Sequence, residues 1–176
     1  MELKATTAAR GIAIGNAFHY CAYVPQISDH IVEGSEIEAE ILTYKNALKL
    51  AENELNLLVS RLRENREKQA AIFEAHVEIL TDETMIDEIV ESINAGMNAS
   101  KAVHFVYTQY AEILKNADDP VLSERSADLL DVCGRLLRCI DGEEACDLSS
   151  LTEPVILIAH DLLPSDTATL NPEYVL

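Results

Sequence analysis

Ile37, Ile41, Tyr44, Leu48, Ala51, Leu55, Leu58 and Leu62 recur at alternating steps of four and three, the spacing that lines one side of a helix. Polar and charged residues fill the positions between them, so the pattern predicts one long amphipathic helix beginning at Ser35. Ser35 followed by Glu38 reads as a capping box, and Glu64 placed before Lys68 as a favourable surface pair. At 1.5 Å per residue such a helix would be roughly 45 Å long, too long to stand without a partner.

The segments that follow can supply that partner. Phe73, Val77 and Leu80 continue a helical stripe, and Thr81 and Asp82 can then cap a helix carrying Met85, Ile86, Ile89 and Ile93, which Gly96 ends. Asn98 or Ser100 can start another, with Val103, Val106, Tyr107, Tyr110, Ile113 and Leu114. Asp119 with Pro120 at the first helical position opens a last one, whose stripe of Leu122, Leu129, Cys133, Leu136 and Ile140 stops before Gly142. The flanks differ. "GIAIGNAFHYCAYV" and "EPVILIAHDL" are short, rich in β-branched and aromatic residues and bounded by Gly or Pro, as strands are. Pro164, Ser165 and Asp166 form a helix start, and "EYVL" reads as the beginning of a further strand. The expectation is an α+β, mostly α fold, with a helical subdomain over 31–143 inserted between the two parts, 1–30 and 144–176, of a small α/β subdomain that stops in mid-pattern.

Composition narrows the function. With 48% hydrophobic residues in 176, the chain can bury a sizeable core. Thirteen Lys and Arg against 31 Asp and Glu give a net charge of -18, which repels nucleic acid and anionic membrane surfaces and attracts a basic partner. No apolar run reaches membrane-spanning length and "MELKATTAAR" lacks a secretion segment, so a cytoplasmic location without membrane insertion is expected. Cys21, Cys133, Cys139 and Cys146 show no C-x-x-C pair and read as reduced, mostly packed thiols.

Candidate chemistry is sparse. Gly11 and Gly15 in "RGIAIG" fit no phosphate-loop pattern and are better explained by tight backbone packing. His19, His30, His104 and His160 have no second ligand at a metal-binding spacing, and only His160 followed by Asp161 is kept as a catalytic candidate. His76, in "AAIFEAHVEIL", has Glu74 and Glu78 two positions away on other faces of its helix, so neither can act with it as a dyad. Ile72 and Ile79 share its face, which favours a packing role, while "REKQAAIFEAH" and "SERSAD" carry the mixed polar and apolar surface of a docking face.

Four strings, "RGIAIGNAF", "AAIFEAHVEILTDETMIDEI", "SERSADLLDVCGRLL" and "EPVILIAHDLLPSDTATLN", in that order and at these separations, resemble the N-terminal region of enzyme I of the bacterial phosphoenolpyruvate:sugar phosphotransferase system. The resemblance covers essentially the whole chain. It implies a helical subdomain of two hairpins that docks the phosphocarrier protein HPr, inserted into a phosphohistidine subdomain. It further implies a parent that moves a phosphoryl group from phosphoenolpyruvate through a histidine to HPr. Carried over by motif, the docking residues are Glu67, Lys68, Ala71, Ile72, Glu74, Ala75, Glu78, Glu83, Arg125 and Asp128. Thr167 matches a threonine that bonds the family's active imidazole. The G-G-x-T-S-H segment bearing that imidazole does not occur in the sequence, and the family's phosphoenolpyruvate and Mg²⁺ sites belong to a C-terminal barrel. The expectation is therefore a stretch truncated before the active histidine, inactive by itself, without a cofactor, that docks HPr. The competing reading is a regulatory module that self-associates, as a homodimer, through the Ile37 to Leu62 seam.

Overall fold

A computed structural model describes residues 11–21, 23–64, 66–143, 148, 151–160, 162, 166–167 and 170–176. Two compact units emerge, one formed by Met1–Ala22 with Cys146–Leu176 and the other by Tyr23–Ala145. Of the features read from sequence, Cys146, Asp161, Pro164 and Ser165 lie outside the described residues.

The second unit is built from five helices: α1 (Ser35–Arg63), α2 (Glu67–Leu80), α3 (Glu83–Asn94), α4 (Ala99–Lys115) and α5 (Pro120–Ile140). α1 and α2 form one closely packed pair, α4 and α5 a second, and α1 also lies along α5 while α3 covers α4. The starts of the later helices follow the expected chemistry. Asp82 accepts from the Met85 amide at 3.0 Å, Asn98 from Lys101 at 2.9 Å and Asp119 from Val121 at 2.8 Å, each satisfying an amide that the first turn leaves open. α1 differs. Its N-cap is Gly34, at φ 57°, and Ser35 already lies inside the helix; the reciprocal contact runs from the Glu33 amide to Glu36, at 3.3 Å. The chain also breaks between Arg63 and Glu67, which takes Glu64 and Lys68 out of a common helical register.

The buried face of α1 is Tyr44, Ala47, Ala51, Leu55, Val59 and Leu62. Ile37, Ile41, Leu48 and Leu58, expected in the seam, are only half-buried; Ala47 and Val59 take the places of the last two, and no residue of α1 before Tyr44 is buried. A straight helix with 3.6 residues per turn drifts about 20° per heptad against a 3.5-residue repeat, so a long stripe must shift by a position as it advances. Tyr44, Ala51, Leu55 and Leu62 of the expected seam are thus buried in the unit's own core.

Residues 23–34 run with the helical unit. Asn98 donates its side-chain amide to the carbonyls of Ser28 and His30 at 2.8 and 3.0 Å, Lys101 pairs with Asp29 at 2.7 Å, and the Val32 amide donates to Gly96, itself at φ 103°. Tyr23 donates its hydroxyl to Asp141.

The other unit holds a two-stranded parallel sheet, β1 (Asn16–His19) and β2 (Val155–Ile158), with Asn16 opposite Val155 and His19 opposite Ile158. Parallel strands need a long crossover, and here the whole helical block lies between them in sequence. "EYVL" contributes less strand than expected: Pro172–Tyr174 form a 3₁₀ turn and Val175 makes one parallel bridge to Val155, with the Leu176 amide donating to the Val155 carbonyl at 3.0 Å. A Cβ on Gly15 would meet Leu176 Cδ1 at 2.6 Å, the tip of a half-exposed side chain that can turn aside, and Gly11 has open space around it, so neither position shows the tight backbone packing expected of it. No helix among the described residues is long and apolar enough to cross a membrane.

Candidate docking site

α2 turns Ala70, Phe73, His76 and Leu80 inward. The opposite arc of the same helix consists of Glu67, Lys68, Ala71, Glu74, Ala75 and Glu78, because positions three, four and seven apart share a helical face. Glu67, Lys68, Ala71 and Glu78 are exposed, and Glu74 and Ala75 are partly so. Ile72 sits at the edge of this arc with 41% of its surface open. Glu83, the first residue of α3, is exposed just beyond the end of α2. The core does not use these side chains, so the arc keeps Ala71 and Ala75 among charged residues, with Ile72 along one edge.

Glu74 is already engaged, since Arg63 at the end of α1 donates Nε and Nη2 to its Oε1 at 2.9 and 2.6 Å. The second part of the site comes from α5. Arg125 is exposed, and its Nη1 lies 3.8 Å from Oδ2 of Asp128 one turn on. The other carboxylate oxygen of Asp128 lies 3.4 Å from Nε2 of His76, which links the two helices. The structure thus brings Arg125 and Asp128 up to α2 through His76, whereas Thr167 is an exposed residue of the other unit.

His76 is placed differently from the sequence reading. It packs on the buried side with Phe73, whose ring meets it edge-on at 5.3 Å between centroids, and not with Ile72, which faces outward. Its carboxylate partner comes from another helix, 52 residues away in sequence, a pairing that local spacing cannot reveal. Val121, at 64% exposure, precedes Arg125 by four residues and Asp128 by seven, the spacing of one helical stripe. Leu122, expected in the buried stripe of α5, is 44% exposed in the first turn. Among the thiols, Cys133 is buried and Cys139 half-buried, but Cys21 is exposed with its sulfur 3.2 Å from His19 Nδ1. Among the described residues no group of three His, Cys, Asp or Glu is arranged to hold a metal ion.

Comparison with known proteins adds a family to this geometry. Residues 4–125 match the N-terminal domain of PEP-utilising enzymes. The phosphoenolpyruvate-protein phosphotransferase of Staphylococcus carnosus (strain TM300) is 37% identical over 180 residues, covering 99% of this chain and 30% of its own length. The protein of the same name from Priestia megaterium is 34% identical over 176 residues, again across 99% of this chain and 30% of its own. The chain therefore spans 30% of the length of these relatives. A solution structure of Enzyme I (nEIt) is similar with a TM-score of 0.85 and 37% identity, over 96% of this chain and 69% of that one. The N-terminal domain of Enzyme 1 - Nitrogen is similar with a TM-score of 0.69 and 27% identity.

Proposed function

The chain belongs to the PEP-utilising enzyme N-terminal family, and on that premise we propose that its helical unit is the docking module for HPr in a phosphoenolpyruvate-protein phosphotransferase. The observation that carries this reading is the outward arc of α2, with Ala71 and Ala75 among Glu67, Lys68, Glu74 and Glu78 and Ile72 at its edge, set beside Arg125 and Asp128 of α5. A small apolar surface among charged residues suits a transient partner, which must bind, react and leave.

Charge sets the kind of partner. At a net charge of -18 the chain attracts a carrier that presents positive side chains around its own reactive group, and this steering raises the encounter rate more than the affinity. Arg125 and Lys68 add local positive charge that favours an acidic or phosphorylated group at the centre of the contact. Movement of the phosphoryl group itself, from phosphoenolpyruvate with Mg²⁺ through a histidine, is proposed for the whole enzyme. This chain contributes docking and, through Thr167, a hydroxyl for that histidine.

Isothermal titration with HPr from the same organism tests the reading. Binding that weakens as salt is raised is expected; absence of any heat or spectral change at millimolar HPr would overturn it.

A further inference from the structure

We propose that His76 is a positioning residue of the docking site, acting through Asp128 to fix the orientation of Arg125; this rests on the docking role given to that site above. The ring of His76 is fully buried on the inward side of α2, yet its polar contacts are incomplete. Nε2 reaches Oδ1 of Asp128 at 3.4 Å, the long end of hydrogen-bond range, while Nδ1 is buried with no hydrogen-bond partner. A half-satisfied imidazole is a poor way to stabilise a core, because a buried nitrogen without a partner has lost its water and gained nothing. An apolar side chain of similar size, on the face that already carries Phe73 and Leu80, would fill the space without that cost.

What only the histidine supplies is a donor pointing across the helix interface to a carboxylate. Asp128 is one-fifth exposed and could turn to water, but it is held between the imidazole on one oxygen and the Arg125 guanidinium on the other. Arg125, half-exposed, has no other ion pair among the described residues. Its direction at the rim is therefore set by a chain of contacts that begins at a buried ring in the neighbouring helix. The inward face of α2 thus organises a residue that the outward surface presents.

The test uses His76→Leu, His76→Gln, Asp128→Ala and the double variant His76→Leu with Asp128→Ala, each titrated with HPr and each melted alone. His76→Leu is expected to melt at or above the wild-type temperature while its Kd for HPr rises about tenfold, the worth of one hydrogen bond to a charged group. His76→Gln, which keeps a donor, should recover most of that loss. The double variant should bind no worse than Asp128→Ala, since both remove the same link. The Nε–Hε resonance of Arg125 in free His76→Leu should move toward its random-coil position. Unchanged affinity in His76→Leu, or a loss that tracks a fall in melting temperature and is not recovered by Gln, would overturn the proposal. If His76→Leu does not fold, His76→Gln and the Arg125 resonance decide on the same terms. Wild-type protein that ignores HPr would instead defeat the docking reading, a separate outcome.

Discussion

Arg63 and Glu74 link the end of α1 to α2: two guanidinium nitrogens of one residue meet a single carboxylate oxygen of the other, at 2.9 and 2.6 Å. Both side chains are well exposed, at 66% and 42%, and exposed pairs of this kind contribute about 1 kcal/mol or less because water and salt screen them. Arg63→Ala is therefore expected to change the urea unfolding free energy by no more than about 1 kcal/mol. The same change releases Glu74 to a basic partner, so affinity for HPr should tighten, by about threefold at most. Titration with the variant checks it, and weaker binding would place Arg63 itself in the contact.

Glu54 presents the opposite case. Its Oε2 accepts from Arg135 at 2.8 Å and from Arg138, and those two arginines keep only 12% and 10% of their side-chain surface open. Arg138 also donates to the Glu143 carbonyl at 2.8 Å, just past the end of α5. Removing the carboxylate, itself 38% exposed, leaves two largely buried cations facing each other, which costs more than losing an exposed pair, on the order of 2 kcal/mol. Glu54→Ala should lower the urea midpoint strongly without changing its slope, and Glu54→Gln, which still accepts a hydrogen bond, should lie between it and wild type.

Alkaline pH should loosen the helical unit. Burial pushes the Cys133 thiol up to about 12 from an ordinary 9.0, and burial likewise raises the hydroxyls of Tyr44 and Tyr107 well above 10.0. Above pH 9 the unfolded chain releases protons that the folded chain retains, so unfolding is favoured as pH rises from 9 toward 12. Each group fully within its window lowers stability by about 1.4 kcal/mol per pH unit. Stability measured by urea titration should be unaffected by these groups below pH 8 and fall steeply above 9. Cys133→Ala should flatten the first part of that fall.

The sequence carried the helices well because their signals are local. Asp82, Asn98 and Asp119 each place a short acceptor before a helical stripe, and Gly96 and Gly142 take the positive φ angles that follow helix ends. Ser35 misled because a glycine one position earlier already turned the chain into α1. From Tyr44 onward the buried stripe of α1 was legible to within one position, the error at Leu48 and Leu58 coming from a strict heptad laid on a helix that does not keep one, whereas Ile37 and Ile41 ahead of it are only half-buried. Small residues such as Ala47 and Ala51 carry little hydrophobic signal, yet they are buried where helices approach closely.

For the candidate site the sequence could propose residues but not their arrangement. Arg125 and Asp128 could be named, but their neighbour in α2 could not, because the contact of His76 with Asp128 depends on how two helices cross. The exposure of Val121 and Leu122, at 64% and 44%, was hidden likewise, because periodicity marks an apolar stripe and not what covers it.

The docking claim is tested most directly by following the backbone amide resonances of isotope-labelled protein as unlabelled HPr from the same organism is added. Shifts are expected to concentrate on Glu67, Lys68, Ala71, Ile72, Ala75, Glu78, Val121 and Arg125, with the strands Asn16–His19 and Val155–Ile158 unmoved. No shifts at millimolar HPr, or shifts confined to residues outside α2 and the first turns of α5, would contradict it.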